Sequence, residues 1–418
     1  MNRRYFLGTT ASALSSAALA QNAAPAPERV VVGVMGMGGR GTALASVIAQ
    51  QPGVTIAYVC DPDRTRLERG IETVARHSQR PPQGVADFRR MLDDREVQAM
   101  VCAAPNHWHA PASILATAAG KHVYVEKPCS HNPREGELMV AAARRHNKQV
   151  QMGNQRRSWP TIIEAIEQVR SGAIGRAYMA KTWYLNNRPT IGRGTEGPAP
   201  QTLDYELWQG PAPRRAFKSN YLHYNWHWFW NWGGGELANN GPHMLDLSRW
   251  GLGVEYPVRV MSSGGRYRFE DDQETPDTQN VNFEFANRKS IVWEGLSCNT
   301  YPQNSLPDLL FMGETGSLAI KGGGYIVYDE RGREVRRVAG TGTDALHLNN
   351  FFDACRGNGR LSSEIEEGHK STMLCHLGNI SHRVGRVINC DGTNGHIRED
   401  EAANRFWSRE YAPGWEPR

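Results

Sequence analysis

The residues Gly36-Met37-Gly38-Gly39-Arg40-Gly41 decide the fold of the first part of this 418-residue chain. They form a Gly-x-Gly-x-x-Gly pattern that follows an apolar run at 30–35 and opens a helix-like stretch at 42–50. In this setting the first glycine permits a tight turn, the second lets the backbone approach a pyrophosphate, and the third lets the helix pack closely on the strand. The helix N-terminus also presents free N–H groups to phosphate. The stretch therefore predicts a dinucleotide-binding turn between a strand and a helix.

An acidic residue stands where a turn of this kind needs one. Asp61 follows a second β-branched run at 54–60, twenty residues after Gly41. A carboxylate there can accept hydrogen bonds from the adenosine ribose and repels a 2′-phosphate, which favours NAD as the cofactor. Arg64 leaves NADP open, because an arginine at this place could stack on adenine or bind a 2′-phosphate.

Strand-like and helix-like stretches alternate through the rest of the first part of the chain. Further strand-like runs lie at 98–104, 122–126 and 149–152, with helix-like stretches at 110–119 and 133–146 between them. This alternation indicates a parallel sheet with helices on both faces. The predicted fold class is α/β, with a Rossmann doubly wound parallel sheet over residues 29–152.

The pattern changes after residue 152. A helix-like stretch at 160–171 and a strand-like run at 176–185 precede a Gly/Pro-rich region with many tryptophans at 187–235. Later strand-like runs lie at 258–267, 280–285, 290–296, 309–320 and 325–328, and residues 364–389 resemble one or two closing helices. Consecutive runs joined by short turns indicate a large, mainly antiparallel open sheet. Residues 153–418 are therefore predicted to form a C-terminal α/β domain.

The first residues have the pattern of an export signal. Arg3-Arg4-Tyr5-Phe6-Leu7 matches the twin-arginine pattern, and a mildly apolar run continues to Ala18-Leu19-Ala20, which suits signal peptidase. Residues 1–20 are therefore predicted to be a twin-arginine signal peptide, with a disordered basic tail as the alternative. Residues 21–28 are predicted to be a linker, and the protein is expected in the periplasm.

Composition and charge exclude several classes of function. The formal net charge is only +5, from 48 basic and 43 acidic residues, so no nucleic-acid partner is expected. No run of about 18 apolar residues occurs, so no membrane-spanning helix is expected after signal cleavage. The seven cysteines include no Cys-x-x-Cys pair, and their odd number argues against a full disulfide framework. His107 and His109 lack a matching third ligand in the sequence, so no metal site is predicted.

A lysine follows the end of the predicted strand at 122–126. Glu126-Lys127-Pro128 places Lys127 beyond the carboxyl end of a buried strand, where doubly wound folds bind their ligands. A partly desolvated lysine has a lowered pKa and can exchange protons with a hydroxyl. Lys127 is therefore a candidate catalytic residue, and a surface lysine in a turn is the alternative.

Several stretches together resemble the Gfo/Idh/MocA family, which includes glucose–fructose oxidoreductase and inositol dehydrogenase. The similar stretches are residues 32–41, 104–109, 119–128, 208–213, 233–246 and 313–318. The Glu126-Lys127-Pro128 element is the most specific of them. The resemblance implies a nucleotide-binding domain and an α/β domain whose open sheet supports the substrate site and a homo-oligomer interface. It also implies hydride transfer between a sugar or polyol carbon and a nicotinamide.

The resemblance also assigns site residues by matched position. It implies that Lys127 contacts the reacting hydroxyl and that His243 is the general acid/base. The predicted cofactor-binding residues are Gly36, Met37, Gly38, Gly39, Arg40, Gly41, Asp61, Arg64, Ala104, Pro105, Asn106, His109, Glu126, Lys127 and Gln155. The predicted substrate-binding residues are Lys127, Arg156, Tyr184, Trp230, Asn239 and His243.

One position departs from the family pattern. Family dehydrogenases commonly carry an aspartate four residues before the histidine, whereas this chain has Asn239 four residues before His243. Asparagine can orient a hydroxyl or an imidazole, but it cannot take up a proton or raise the pKa of the histidine by charge. Lys127 and His243 are then expected to carry the proton alone, or the chemistry differs.

Tryptophans recur at every second position between residues 226 and 232. On a strand, Trp226, Trp228, Trp230 and Trp232 would all lie on one face. Indole faces suit the C–H faces of sugars, so one or two of these side chains are expected to line a sugar site. A ridge in the core or at a subunit interface is the alternative.

The sequence thus predicts an NAD(P)-dependent oxidoreductase that acts on a sugar, glycoside or polyol. An exported enzyme must carry its cofactor with it and regenerate it in place, so a tightly bound cofactor and a redox-neutral overall reaction are expected. One alternative is a glycosidase or lyase that oxidises a glycoside, eliminates a neighbouring group and reduces the product again. A second is a non-catalytic sugar- or nucleotide-binding protein.

Overall fold

The computed structural model describes residues 29–78, 80–300 and 306–417. The predicted signal peptide and linker, residues 1–28, lie outside these described residues. Within the described ranges, no helix is long and apolar enough to cross a membrane. The described chain forms two sheets, and helices pack on each of them.

The first sheet is built from six parallel strands. They are β1 (Val30–Met35), β2 (Val54–Cys60), β3 (Gln83–Val85), β4 (Ala99–Cys102), β5 (His122–Val125) and β6 (Val150–Met152). Their order is β3-β2-β1-β4-β5-β6, so the strand order reverses between β1 and β4, which is the topological switch point. Doubly wound sheets bind ligands at this switch point. The predicted Rossmann sheet is confirmed, with β3 as a short edge strand that periodicity does not reveal.

Five helices connect these strands. They are α1 (Gly39–Ile48), α2 (Arg64–Ala75), α3 (Arg89–Leu92), α4 (Asn106–Ala118) and α5 (Pro133–Arg145). Helix α5 begins with a proline at its first position, and the Asn132 side chain accepts a hydrogen bond from the Glu135 N–H. Both features are typical helix starts. They fix the direction of the chain that follows Lys127 and Pro128.

The second sheet is larger and mixed. Its strands are β7 (Ala177–Asn187), β8 (Arg259–Gly265), β9 (Thr278–Phe285), β10 (Lys289–Leu296), β11 (Cys298–Asn299), β12 (Leu309–Gly313), β13 (Gly316–Lys321), β14 (Gly324–Asp329), β15 (Glu334–Val338) and β16 (Ile388–Asn389). The order is β15-β14-β13-β12-β7-β10-β9-β8-β16, with β11 paired to β7. All neighbours are antiparallel except β7 and β10, so the predicted mainly antiparallel sheet is confirmed.

Helices cover one face of this sheet. In chain order the helices of this half are α6 (Pro160–Arg170), α7 (Tyr205–Gln209), α8 (Gly235–Asn239), α9 (Gly241–Leu252), α10 (Asp344–Cys355), α11 (Ile365–Val384) and α12 (Glu401–Asn404). Helices α6, α9 and α11 pack on the sheet. Between them lies a core that includes Leu245, Phe283, Ile291, Trp293 and Phe311. The core fixes α9, the helix that carries His243.

One predicted element differs from the structure. Residues 309–320, predicted as one strand-like run, form the hairpin of β12 and β13 around a turn at Glu314 and Thr315. Residues 364–389, predicted as one or two closing helices, contain the single helix α11, followed by β16. In the hairpin the Thr315 N–H donates to the Ile174 carbonyl, a contact from a distant part of the chain that the local pattern cannot reveal.

Helix α10 joins the two halves of the molecule. Its residues follow the second sheet in sequence, yet Leu348, Phe351 and Phe352 are buried in the core of the first sheet with Val32 and Val101. The apolar face of this helix therefore packs with the first sheet rather than with the second. The core of the first sheet thus includes side chains from both sides of the predicted domain boundary at residue 152.

Candidate functional site

The glycine turn forms a cradle in which side chains have no room. Gly36 has a φ of +88°, and a Cβ on it would lie 2.6 Å from the backbone nitrogen of Ala104. A Cβ on Gly41 would lie 1.7 Å from the Gly36 carbonyl oxygen. Helix α1 starts at Gly39 without a side-chain cap, so its first N–H groups remain available to a phosphate. The cradle fits the pyrophosphate of a dinucleotide.

Asp61 is held at the end of β2 by two backbone groups. The Met37 N–H donates to its Oδ2 at 2.7 Å, and the Asp63 N–H donates to its Oδ1 at 2.9 Å. The residue is only 6% exposed. Burial raises the pKa of Asp61 to about 6, although these hydrogen bonds and the nearby Arg66 oppose the shift. The carboxylate lies on the wall of a cavity, where its free lone pairs can accept ribose hydroxyls.

Residues 200–232, called here the covering segment, fold over the nucleotide end of the site. Two backbone hydrogen bonds join residues 62–64 to residues 202–204. The His223 Nε2 lies 2.8 Å from the Asp63 Oδ2. Residues of this segment, including Trp208 and Tyr224, line the same cavity as Asp61. The groove along the first sheet is therefore walled on two sides.

One cavity of about 860 Å³ connects the glycine turn with Lys127. This volume lies in the range typical of ligand-binding pockets. The predicted site residues on its wall are Gly36, Gly38, Gly39, Arg40, Asp61, Ala104, Pro105, Asn106, His109, Glu126, Lys127, Tyr184 and Asn239. Residues of the first sheet and residues of the second half thus face one another across the same space.

Lys127 is fixed at the end of the cavity that faces the second half. Its Nζ donates to the Asn239 carbonyl oxygen at 2.6 Å and lies 3.3 Å from the Asn239 Oδ1. The Lys127–Pro128 peptide bond is cis. Burial lowers the pKa of the Lys127 amine. A partly desolvated amine held by two acceptors is suited to exchange a proton with a substrate hydroxyl.

His243 lies on the first turn of α9, close to Lys127 but not on the cavity wall itself. Its imidazole makes no hydrogen bond with another described residue. Burial, followed by the charges of Lys127, Arg156 and Arg40, lowers the pKa of His243 well below its usual range. The ring is therefore neutral and has a free nitrogen that can accept a proton.

Arg40 connects the glycine turn with two other elements. Its Nε lies 2.7 Å from the Glu126 Oε1, and its two terminal nitrogens bind the Asp344 carboxylate at 2.6 and 3.0 Å. Bidentate pairs of this kind hold a defined geometry. The glycine turn, the end of β5 and the start of α10 are therefore fixed relative to one another.

Aromatic and amide groups form the wall beyond Lys127. The Arg188 guanidinium lies 5.2 Å from the Tyr224 ring and 5.1 Å from the Trp228 ring, and its Nε lies 2.8 Å from the Glu236 Oε2. The Asn186 Nδ2 donates to the Tyr184 hydroxyl at 3.0 Å. Ring faces next to hydrogen-bonding groups match the C–H faces and hydroxyls of a sugar.

Some predicted site residues lie away from the cavity wall. They are Met37, Gly41, Arg64, Gln155, Arg156, Trp230 and, as noted, His243. Arg64 is exposed at the first position of α2, and Arg66 faces the cavity instead. Arg156 turns toward Asp308, 3.1 Å away. Trp230 lines a separate cavity of about 50 Å³ together with Arg383.

The four tryptophans between residues 226 and 232 do not share one face, as they would on a strand. Residues 225–228 form a 3-10 helix, because the chain turns there. Trp226 stacks on His227 at 3.5 Å and lines the main cavity, whereas Trp228 and Trp232 are buried. The four indoles therefore point in different directions, and one of them reaches the main cavity.

The two histidines at 107 and 109 bond to backbone groups. The His107 Nε2 lies 3.1 Å from the Trp208 carbonyl oxygen. The His109 ring lies between the carbonyl oxygens of Ala104 and Pro128, at 2.7 and 2.6 Å. Among the residues that the structure describes, no three His, Cys, Asp or Glu side chains are placed to hold a metal ion. His109 instead links the backbone at Ala104 to the backbone at Pro128.

Sequence reasoning missed three charged residues of this cavity region: Arg66, Arg188 and Glu236. The direction of the Arg66 side chain, two residues after Arg64, depends on where α2 begins. Arg188 and Glu236 lie in regions rich in glycine and proline, where periodicity gives no direction for a side chain. The family resemblance over residues 233–246 covered Glu236 but assigned it no role.

Comparison with known families now places the chain. Residues 30–154 match the model of an oxidoreductase family with an NAD-binding Rossmann fold, and residues 191–416 match the C-terminal α/β domain of the same family. The protein is therefore an NAD(P)-dependent oxidoreductase by class. It belongs to the Gfo/Idh/MocA family, which confirms the resemblance predicted from the sequence.

Curated relatives match over a limited part of the chain. A glycosyl hydrolase family 109 protein of Shewanella sp. strain ANA-3 is 26% identical over 168 residues, which is 39% of this chain and 36% of the relative. An alpha-N-acetylgalactosaminidase of Shewanella oneidensis matches with the same identity and coverage. The chain thus aligns with about a third of the length of these relatives.

Solved structures match over most of the chain. The WlbA dehydrogenase of Bordetella pertussis, solved with NADH and UDP-GlcNAcA, has a TM-score of 0.66 and 21% identity, covering 87% of this chain and 99% of its own. A levoglucosan dehydrogenase solved with NADH and levoglucosan has a TM-score of 0.68 and 19% identity, covering 86% and 99%. These similarities establish the fold shared by the chains.

Proposed function

We propose that this protein transfers hydride between a sugar or polyol carbon and a tightly bound nicotinamide cofactor. One observation carries the proposal: a single cavity is lined at one end by the glycine turn and Asp61 and at the other by Lys127, Asn239 and Tyr184. A dinucleotide laid along the first sheet and a hydroxylated substrate beside Lys127 would share this space. The substrate complexes of the two structural neighbours, a nucleotide sugar and levoglucosan, support the substrate class.

The residues present fit NAD. The glycine turn and the start of α1 would hold the pyrophosphate, Asp61 would accept the ribose hydroxyls, and Ala104, Pro105 and Asn106 would lie along the nicotinamide half. The cofactor, when bound, supplies the hydride acceptor or donor. Lys127 would donate a hydrogen bond to the reacting hydroxyl oxygen, and the free nitrogen of His243 would take up its proton.

The test of this proposal starts with the protein as purified. Mass spectrometry of the denatured protein is expected to release NAD, and the addition of free sugars is expected to change the absorbance of the bound nicotinamide. Protein that contains no nicotinamide nucleotide, and that binds none when NAD is added, would contradict the proposal. Bound cofactor whose absorbance no sugar, polyol or glycoside changes would favour the non-catalytic binding protein.

A second function is favoured by the covering segment. Because residues 200–232 are joined to residues 62–64 beside Asp61, they would cover part of a bound cofactor and slow its release. A retained cofactor suits a cycle in which a glycoside is oxidised, loses its aglycone by elimination, adds water to the double bond so formed and is reduced again, without net redox change. The glycosyl hydrolase family 109 relatives support this alternative. Release of aglycone from a chromogenic glycoside, with no net change of the bound nicotinamide, separates it from a dehydrogenase.

We also propose that the protein forms a homo-oligomer through the second sheet. The sheet face opposite the helices carries a mixture of apolar and polar side chains, among them Lys181, Met261, Asn282, Val292 and Leu310. Met261 is 51% exposed in the single chain. Light scattering after size exclusion tests this: an oligomer is expected, and Met261→Glu should shift it toward the monomer. A wild-type monomer at micromolar concentration would contradict the proposal.

The twin-arginine pattern at residues 3–7 leads us to propose export to the periplasm. All seven cysteines are free thiols and six are buried, so the chain can fold in the reducing cytoplasm, as a twin-arginine substrate does before export. Cell fractionation tests it: the protein is expected in the periplasm, and replacement of Arg3 and Arg4 by lysine should retain it in the cytoplasm. Periplasmic protein from that double variant would contradict twin-arginine export.

A further inference from the structure

A buried carboxylate stands behind the partner of Lys127. Glu236 lies on α8, three residues before Asn239, so both side chains share one face of the helix. It is only 4% exposed. Its Oε1 accepts hydrogen bonds from the amide nitrogens of Asn239, at 3.3 Å, and Asn240. Its Oε2 accepts a hydrogen bond from the Arg188 Nε at 2.8 Å.

These contacts decide which way the Asn239 amide faces. A carboxylate only accepts hydrogen bonds, so the nitrogen of the amide must point toward Glu236. The amide oxygen then points the other way, and it lies 3.3 Å from the Nζ of Lys127. Together with the Asn239 carbonyl oxygen at 2.6 Å, it provides two acceptors for the three N–H groups of a charged lysine.

Charged and titratable groups surround Lys127 on several elements. They are Glu126 after β5, Arg40 on α1, Glu236 on α8, Cys375 on α11, His243 on α9, His227 in the 3-10 helix and His109 on α4. Burial lowers the pKa of Lys127, and Glu126 and Glu236 oppose that shift. Glu126 is itself paired with Arg40, whose positive charge counteracts it.

We propose that Glu236 is the positioning residue of the reacting site: through the Asn239 amide it holds Lys127 as a cation with one N–H free for a substrate oxygen. Glu236 supplies the negative charge that the neutral Asn239 lacks. Arg188 forms an ion pair with Glu236 and partly offsets this charge. Arg188 lies on the cavity wall between Tyr224 and Trp228. The role of the Lys127 charge rests on the proposed function, whereas the charge itself can be measured without turnover.

The charge can be measured by NMR. The chain has eight lysines, so labelling with [13Cε]lysine gives few signals, and Lys127→Arg assigns the one of interest. Glu236→Gln keeps the shape of the side chain and removes its charge, so the pKa of Lys127 is expected to fall by about one unit. Arg188→Met breaks the same ion pair but removes the opposite charge, so the pKa of Lys127 is expected to rise.

The opposite signs of the two pKa shifts distinguish an effect of the Glu236 charge from a loss of structural support. If Glu236 only held Arg188 in place, the two variants would damage the same contact and would shift Lys127 in the same direction or not at all. Either result overturns the proposal. Glu164→Gln is the matched control, because it breaks an ion pair with Arg336 outside the cavity and should leave the Lys127 titration unchanged.

A rescue variant keeps the test decisive if Glu236→Gln folds poorly. Asn239→Asp places a carboxylate directly beside Lys127, so it is expected to raise the pKa of Lys127 alone and to restore it in the Glu236→Gln background. An unchanged titration in Asn239→Asp would overturn the proposal. Once a substrate is known, kcat is expected to rank the variants in the same order as the pKa of Lys127 does. NMR shifts without any turnover in wild type would contradict the proposed function while leaving the role of Glu236 intact.

Discussion

The two ends of the cavity are built in different ways. The nucleotide end is made of backbone: Gly36 and Gly41 leave no room for a Cβ, and Asp61 is bound by two N–H groups. The reacting end is made of side chains, where Lys127 and Glu236 meet through Asn239. A backbone site depends on local conformation, whereas a side-chain site depends on how distant segments pack. The two ends should therefore respond to substitution in different ways.

The largest difference is expected from the reacting end. Lys127→Ala and His243→Ala should each lower kcat at least ~100-fold, the lower range for acid–base groups. The Kd for NAD should stay within about threefold of wild type, because neither substitution touches the glycine turn. Stopped-flow absorbance and fluorescence titration measure the two quantities. Lys321→Ala and His396→Ala, both at exposed positions, are the controls. Unchanged kcat in both active-site variants would refute the proton-transfer assignment.

Substitution in the glycine turn should act mainly on the Kd for NAD, whereas substitution at the reacting end acts mainly on kcat. Gly41→Ala places a Cβ 1.7 Å from the Gly36 carbonyl oxygen, so the turn must shift and the Kd for NAD should rise at least ~10-fold. Gly39→Ala is a matched control in the same turn, because a Cβ there meets nothing within 4 Å. Calorimetric titration of NAD into cofactor-free protein measures both. Equal affinities of the two variants would show that the cradle does not hold the pyrophosphate.

Asp61 should set the choice between NAD and NADP. Asp61→Ser removes the charge that repels a 2′-phosphate, so the preference for NAD is expected to fall by about tenfold. Because the pKa of Asp61 is about 6, wild-type affinity for NAD should also weaken as the pH falls through 6. Binding curves for both cofactors between pH 5 and 8 measure this. A preference for NAD that Asp61→Ser leaves intact would show that the Asp61 carboxylate does not set the choice.

The smallest effect concerns the pH dependence of the free energy of unfolding, which two histidines buried beneath the reacting end influence. His131 and His376 lie behind the 126–132 turn, and burial lowers the pKa of His131 well below its usual range and that of His376 to about 3. Each stays neutral when folded but takes up a proton when unfolded below about pH 6.5, so the free energy of unfolding falls as the pH drops.

The slope expected from each histidine is about 1.4 kcal/mol per pH unit. His376→Gln should lower the slope of the unfolding free energy, measured by urea denaturation between about pH 6 and 5, by up to that amount. Asp61 acts with the opposite sign, since its raised pKa stabilises the folded state as the pH falls from about 6 to 4. An unchanged slope in His376→Gln would mean that another group accounts for the acid sensitivity.

The contrast between a site built from backbone and a site built from side chains also explains what the sequence could predict. The turn at Gly36 and the acid at Asp61 need only a strand, a turn and a helix in succession, and these local patterns are visible in one sequence. The lysine at 127 is visible for the same reason, because it follows a buried strand directly. The fold class and the nucleotide end could therefore be predicted from the sequence.

The reacting end could be predicted only in part. Arg188 follows β7 in a region without periodicity, and its side chain is directed by Glu236, nearly fifty residues later. Trp226 and Trp230 lie only four residues apart, yet a 3-10 turn sends them to different cavities. Arg156 pairs with Asp308, which directly precedes β12, and so turns away from the cavity. Such directions are set by long-range packing, which local patterns do not encode.

The placement of α10 has a consequence for the order of assembly. Leu348, Phe351 and Phe352 complete the core of the first sheet, so the nucleotide-binding half cannot finish folding during translation until residues 344–355 have left the ribosome. A fragment of residues 29–154 would leave an apolar groove open to solvent and should aggregate or recruit the missing helix. A synthetic peptide of residues 344–355, added in trans, would be the natural partner for such a fragment.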